Sequence, residues 1–140
     1  MTPIRHALVP GVFFSQLMGD FRTRLECNWL LDVIATRCQI GACKRANKKD
    51  ERFNDMQMWR LRKLYDGEQA VDDDGNEIEA MAVVEACADF DNGKAIDCHD
   101  KQYIPFTDWD FEKNGEPKFF AGLAEIDGKI GRYIYLPEEY

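Results

Sequence analysis

The residues at 25–35, Leu-Glu-Cys-Asn-Trp-Leu-Leu-Asp-Val-Ile-Ala, constrain the fold more than any other stretch. Large apolar side chains fall at 25, 29, 30, 33 and 34, the spacing of one face of an α-helix. Arg24, Glu26, Asn28, Asp32, Thr36 and Arg37 supply most of the wetter side. Burying Trp29, Leu30, Val33 and Ile34 contributes at most roughly 1.5–3 kcal/mol each. The rest of the chain must therefore cover that face. The helix is expected to stop near 37–39, with Gly41 just beyond it.

Upstream, prolines at 3 and 10 make 1–10 an extended lead-in, and 12–20 reads as a short helix bending at Gly19-Asp20. Downstream, 41–53 is an exposed basic loop, after which the apolar period shortens to two. Strands are expected from 53, over 81–88, over 94–106, over 117–126 and over 129–136. Asp66-Gly67, 72–76, Asn92-Gly93 and Asp127-Gly128 supply turn chemistry between them. The result is a single α+β domain over 1–140. One or two N-terminal helices pack on one face of a four- to five-stranded antiparallel meander sheet. Phe119, Phe120, Tyr133 and Tyr135 are candidates for an uncovered apolar sheet face, which keeps homo-oligomerisation open.

No apolar run approaches the ~20 residues of a membrane helix. The first nineteen residues lack the long apolar core and cleavage site of a signal peptide. Five cysteines at irregular spacing read as reduced thiols, so a cytoplasmic location is expected. Charge is divided along the chain. Residues 1–65 hold twelve Lys/Arg against six Asp/Glu (net +6), and 66–140 hold six against twenty (net −14), giving the overall −8. Such a division suits a molecule with a basic and an acidic side, unless folding mixes the two.

Catalytic constellations are thin. Cys98 and His99 are neighbours, and on a strand they point to opposite faces, so they do not make a nucleophile–base pair. Cys27, Cys38, Cys43 and His99 lack the paired spacing of a zinc site; buried thiols fit them better, and no metal or cofactor is expected. Asp72, Asp74 and Asn76 have calcium-ligand spacing, but Gly75 is misplaced for an EF-hand and a plain turn is preferred. Asp32 is expected to be buried against Arg60 or Tyr135.

Two surfaces remain as candidates for partner contact. Asp72, Asp73, Asp74 and Glu77 form an acidic run that could mimic phosphate at a basic protein site. Asp108, Trp109, Asp110 and Phe111 alternate acid with aromatic, which suits protein recognition, although a core-capping Trp109 explains them as well. Lys44, Arg45, Lys48, Lys49 and Arg52 are a third group, able to hold a phosphate of a small ligand or nucleotide. No aromatic residues interleave with them, so nucleic acid is not an expected partner.

Five motifs recur in a fixed order: Trp-Leu-Leu-Asp-Val-Ile-Ala at 29–35, Met-Gln-Met-Trp-Arg-Leu at 56–61, Asp-Asn-Gly-Lys at 91–94, Tyr-Ile-Pro-Phe-Thr-Asp-Trp at 103–109 and Leu-Pro-Glu-Glu-Tyr at 136–140. The set resembles a family of small uncharacterised bacterial, plasmid and phage proteins known only as a domain of unknown function. The chain departs from that pattern at Ser15-Gln16-Leu17 and in the basic 44–52 segment. The resemblance carries no reaction and no catalytic residue; it implies an accessory protein of mobile elements. The expected function is then a non-enzymatic inhibitor that binds a host protein or defence complex with a basic surface, as anti-CRISPR or anti-restriction proteins do. The alternatives are a small-ligand or nucleotide-binding module using 44–52, and an enzyme whose site the sequence hides.

Overall fold

The computed structural model describes residues 3–39, 55–87, 90–91, 94–95 and 98–139. Two N-terminal helices, α1 (Gln16–Arg24) and α2 (Asn28–Cys38), lie with a mixed seven-stranded sheet. The sheet strands are β1 (Ile4–Arg5), β2 (Val12–Phe14), β3 (Met56–Lys63), β6 (Ala82–Cys87), β9 (Cys98–Ile104), β10 (Lys118–Ile126) and β11 (Lys129–Tyr135), in the spatial order β1-β2-β11-β10-β3-β6-β9. Small hairpins β4 (Ala70–Val71) with β5 (Glu77–Ile78) and β7 (Phe90–Asp91) with β8 (Lys94–Ala95) stand apart from it, as does the four-residue helix α3 (Phe111–Asn114). No helix among the described residues is long and apolar enough to cross a membrane.

The α+β architecture with a mostly antiparallel sheet agrees with the sequence; the strand count and the meander do not. The two additional strands come from the N-terminus. Residues 4–5 of the expected lead-in pair with β2, and Val12–Phe14 pairs in parallel with the C-terminal β11, so the order is no meander. The expected helix over 12–20 therefore begins later. Ser15 is its N-cap, accepting from the Met18 N–H at 3.0 Å, and Gly19 lies inside the helix. Glu26, at φ 52, breaks the chain between α1 and α2, so the second helix starts at Asn28. Its buried side is Leu30, Leu31, Ile34, Ala35 and Cys38, while Trp29 and Val33 are only half-buried, a rotation of the expected stripe.

Alternation on each strand sorts the sheet into two faces. Val12, Phe14, Trp59, Leu61, Ala82, Val84, Ala86, Phe119, Ala121 and Ile134 join the buried helix residues in one core. Trp59, fully buried, donates its indole N–H to Gln57 Oε1 at 2.8 Å on the same face. Phe119 belongs to this core, not to an uncovered face. Phe120, Tyr133 and Tyr135 take the opposite face, half-buried, with ring centroids stacked at 5.5 and 5.6 Å.

Long-range polar bonds close the ends. Arg132, 1% exposed, donates to the Cys38 carbonyl at 2.8 Å and so caps the C-terminus of α2, where the helix dipole favours a cation. Ser15 Oγ donates to Glu139 Oε2 at 2.7 Å, and the same carboxylate oxygen accepts from the Leu136 N–H at 2.8 Å. The C-terminal turn is thus clasped to the start of α1. Replacing Ser15 with alanine removes both the cap and the clasp and is expected to cost about 1–2 kcal/mol. The check is the urea midpoint at unchanged m-value; a variant as stable as the parent would show that the clasp contributes nothing.

Candidate functional site

At the Lys63 end of β3 the chain forms an open groove of about 390 Å³, lined by Lys63, Leu64, Met81, Thr107, Trp109, Asp110, Phe111 and Glu112. Local chemistry fixes the segment that builds its wall. The Trp109 N–H donates to Thr107 Oγ1 at 3.1 Å, and the indole N–H donates to the Gly115 carbonyl at 2.9 Å. The Trp109 ring, 9% exposed, packs beside Phe21 at 6.2 Å, anchoring the segment to the core. Asp110 Oδ1 accepts from the Lys113 N–H at 3.0 Å and caps α3, which Gly115 ends at φ 68.

Trp109 is therefore nearly buried, while Phe111 is half-buried with Lys63 Nζ 5.6 Å from its ring centre. Met81 is 51% exposed beside them, and Phe106, adjoining the lining residue Thr107, is 76% exposed. The rim carries Asp110 and Glu112, with Asp108 exposed next in the chain. A lining that joins apolar side chains to two carboxylates and one lysine suits recognition of an apolar side chain beside a cation. The lining contains neither histidine nor cysteine; the polar side chains it offers are Lys63, Thr107, Asp110 and Glu112.

The acidic run lies elsewhere and is partly committed. Asp72 Oδ1 accepts from the Asp74 and Asn76 N–H groups at 3.0 and 2.9 Å, which locks the turn between β4 and β5. Asp73 is paired in a fork with Arg37, at 3.1 and 3.2 Å. Arg37 also grips Asp100 at 2.6 and 2.9 Å, tying α2, β9 and the turn together. Burial opposes the charge on Arg37, but the bonds from Asp100 and Asp73 outweigh it and raise its pKa. Asp74 and Glu77 are exposed. No bond among the described residues joins this run to 108–111. Lys44, Arg45, Lys48, Lys49 and Arg52 lie outside the described residues, as do Cys43 and the side chains of Cys98 and His99.

Three other groups invite a catalytic reading and do not support it. His6, 4% exposed, bonds Asp32 Oδ1 through Nε2 at 2.9 Å, so the partner of Asp32 is neither Arg60 nor Tyr135, and Asp32 itself is half-exposed rather than buried. Its Nδ1 accepts from the Leu8 and Val9 N–H groups at 3.2 and 3.1 Å, which makes Nε2 the protonated nitrogen. Both ring nitrogens are thereby used in folding the 6–11 loop onto α2. Burial pushes the Cys27 thiol up to about 11, so it is protonated at neutral pH. Among the described residues no three His, Cys, Asp or Glu gather as metal ligands.

The third group is a charge cluster on the sheet face opposite the helices. Glu85, 1% exposed, accepts from Arg60 at 2.6 Å and from Arg62 at 2.7 and 3.1 Å. Arg62 forks onto Glu68 at 2.8 and 3.0 Å, and Tyr103 donates to the same carboxylate at 3.1 Å. Burial opposes ionisation of Glu85, but the bonds from Arg62 and Arg60 prevail and hold its pKa below the usual range. The network satisfies itself, and its role is structural.

Sequence reasoning missed Lys63, Leu64 and Met81 as parts of the groove. Strand pairing brings them there, with Lys63 opposite Ala82 and Ala82 opposite Ile104. No family model, no curated protein and no solved structure matches the chain.

Glu68 gives an acid-sensitive prediction. The Arg62 bond, chiefly, lowers its pKa from 4.5 to about 2, so its contribution is complete above the ordinary carboxylate range and is lost as pH falls from about 4.5 toward 2. Glu68→Gln is expected to make the acid limb of stability against pH shallower in that window, measured by urea midpoints at successive pH values. Equal acid losses in parent and variant would refute it.

Proposed function

We propose that the chain is a non-enzymatic binding protein that captures a host protein or protein complex with a basic surface. It inhibits that complex in the manner of anti-CRISPR or anti-restriction proteins. The observation that carries the reading is the groove itself, whose lining joins apolar Leu64, Met81 and Phe111 to the carboxylates of Asp110 and Glu112, with Lys63 the one cation among them. An overall charge of −8 favours approach to a cationic partner and makes the encounter salt-sensitive. The mobile-element setting rests on the motif resemblance alone, and a cytoplasmic location on that resemblance and on five irregularly spaced cysteines read as reduced thiols.

Asp72, Asp73, Asp74 and Glu77 serve in this reading as a secondary acidic contact. Asp73 contributes less than its charge suggests because Arg37 already holds it. The small-ligand alternative through Lys44, Arg45, Lys48, Lys49 and Arg52 draws on no described residue.

The test is phage plating on hosts carrying defined CRISPR or restriction systems, with and without the expressed chain. Expression is expected to restore plating on at least one such host, and the purified effector to co-elute with the chain. Phe111→Ala and Glu112→Lys are expected to weaken that complex by about 30-fold or more, the size of a contact hot spot, with little change in melting temperature. Rescue unaffected by either variant would move the contact away from the groove. No rescue on any defended host, together with no effector binding, would overturn the reading.

A further inference from the structure

A second hollow, also about 390 Å³, lies where β1 and β2 meet the turn between β10 and β11. Arg5, Gly11, Phe13, Ile126, Asp127, Lys129, Ile130 and Gly131 line it. Two of its lining residues are glycines. The Phe13 ring approaches Gly131 so closely that a Cβ there would sit 3.0 Å from the ring. Gly11, at φ 75, faces space in which a Cβ would meet nothing within 4 Å. Phe13, Ile126 and Ile130 make the walls apolar, and Ile130 is left 59% exposed, as is Leu8 at 79% in the neighbouring loop.

Two cations stand at this hollow. The Arg5 guanidinium is held over the Phe13 ring at 5.0 Å, a cation–π contact that orients it without neutralising it. Among the described residues neither Arg5 nor Lys129 makes an ion pair with a carboxylate, and Asp127, though it shares the lining, pairs with neither. The contrast with Arg37, Arg60 and Arg62, each locked onto acids in the same chain, is direct.

We propose that this hollow is a binding site for a small organic anion. Its apolar body sits against Phe13, Ile126 and Ile130, and its phosphate or carboxylate head lies between Arg5 and Lys129. The volume falls in the range of small-molecule sites, and the lining joins apolar Phe13, Ile126 and Ile130 to two cations and one carboxylate, Asp127, leaving a net positive charge. The site is separate from the partner groove and uses none of its residues.

The test titrates phenyl phosphate, phenylacetate and neutral benzyl alcohol into the full chain and follows backbone amide shifts. The anions are expected to shift Gly11, Ile126 and 129–131 saturably, with benzyl alcohol at least about tenfold weaker. Arg5→Gln is expected to weaken both anions by about tenfold or more and to leave benzyl alcohol unchanged. Ile126→Trp, which fills the hollow, should block all three while the melting temperature holds. Tighter binding of phenyl phosphate supports a phosphate monoester as the natural headgroup, and tighter phenylacetate a carboxylate. No saturable shift up to about 10 mM anion, or binding indifferent to Arg5→Gln, overturns the proposal.

Discussion

The carboxylate of Glu85, held between Arg60 and Arg62 on the neighbouring strand, fixes how the centre of the sheet is assembled. Arg60 is directly opposite Glu85, and Trp59 is directly opposite Ala86. A slip of one residue between β3 and β6 would turn Glu85 toward the helices and leave both arginines facing apolar side chains. Desolvating an unpaired carboxylate costs far more than any single core contact returns, so the alternative register is strongly disfavoured. Buried ion pairs as a class are often no more stabilising than well-packed apolar side chains. What the pairing geometry ties to this cluster is the register, and with it the face of β3 that carries Trp59 and Leu61 into the core.

Much of that outcome was legible in the chain. Period-two alternation located β3 and β11, β10 was expected as a strand over 117–126, and Asp127-Gly128 marked the turn between the last two. The second helix was found, but its start was misjudged because apolar Leu25 extends the stripe through a break that Glu26 makes with a left-handed backbone. The failure at 12–14 has a different cause. Phe13, Phe14, Leu17, Met18 and Phe21 mimic helical spacing, and the competing signal is a parallel pairing with residues 132–134, about 120 positions away. Only Ser15, a good N-cap residue, marked the boundary locally. The Asp32 partner was missed for the same reason: nothing near His6 announces that its ring will fold onto α2.

The candidate site was readable in part. The alternation at 108–111 identified the segment, but the depth of Trp109 depends on its bonds to Thr107 and Gly115 and on Phe21, none of which periodicity reveals. Net charge along the chain was a poorer guide still. Several acids in the second half are spent on folding: Glu85 and Glu68 on arginines, Asp73 and Asp100 on Arg37, Asp72 and Asp110 on turns and caps. Exposed acids without such duties among the described residues include Asp74 and Glu77 on the turn and Asp108 and Glu112 at the groove. The linear count of acids therefore overstates the field around the folded chain.

The two hollows are far enough apart to act separately. Lys118 stands opposite Arg60 and Gly122 opposite Met56, so β10 runs past the start of β3 before reaching Ile126. From Lys63 to Met56 and on to Ile126 is about eleven strand steps, or roughly 35 Å at 3.3 Å per residue. Continuous antiparallel pairing from β11 through β10 and β3 to β6 spans that distance. A ladder of this kind has no second arrangement to switch into without breaking the Glu85 register, and coupling between sites requires an element with two states. For the two proposed sites, a ligand at Arg5 and a protein at Phe111 are therefore expected to bind with additive free energies.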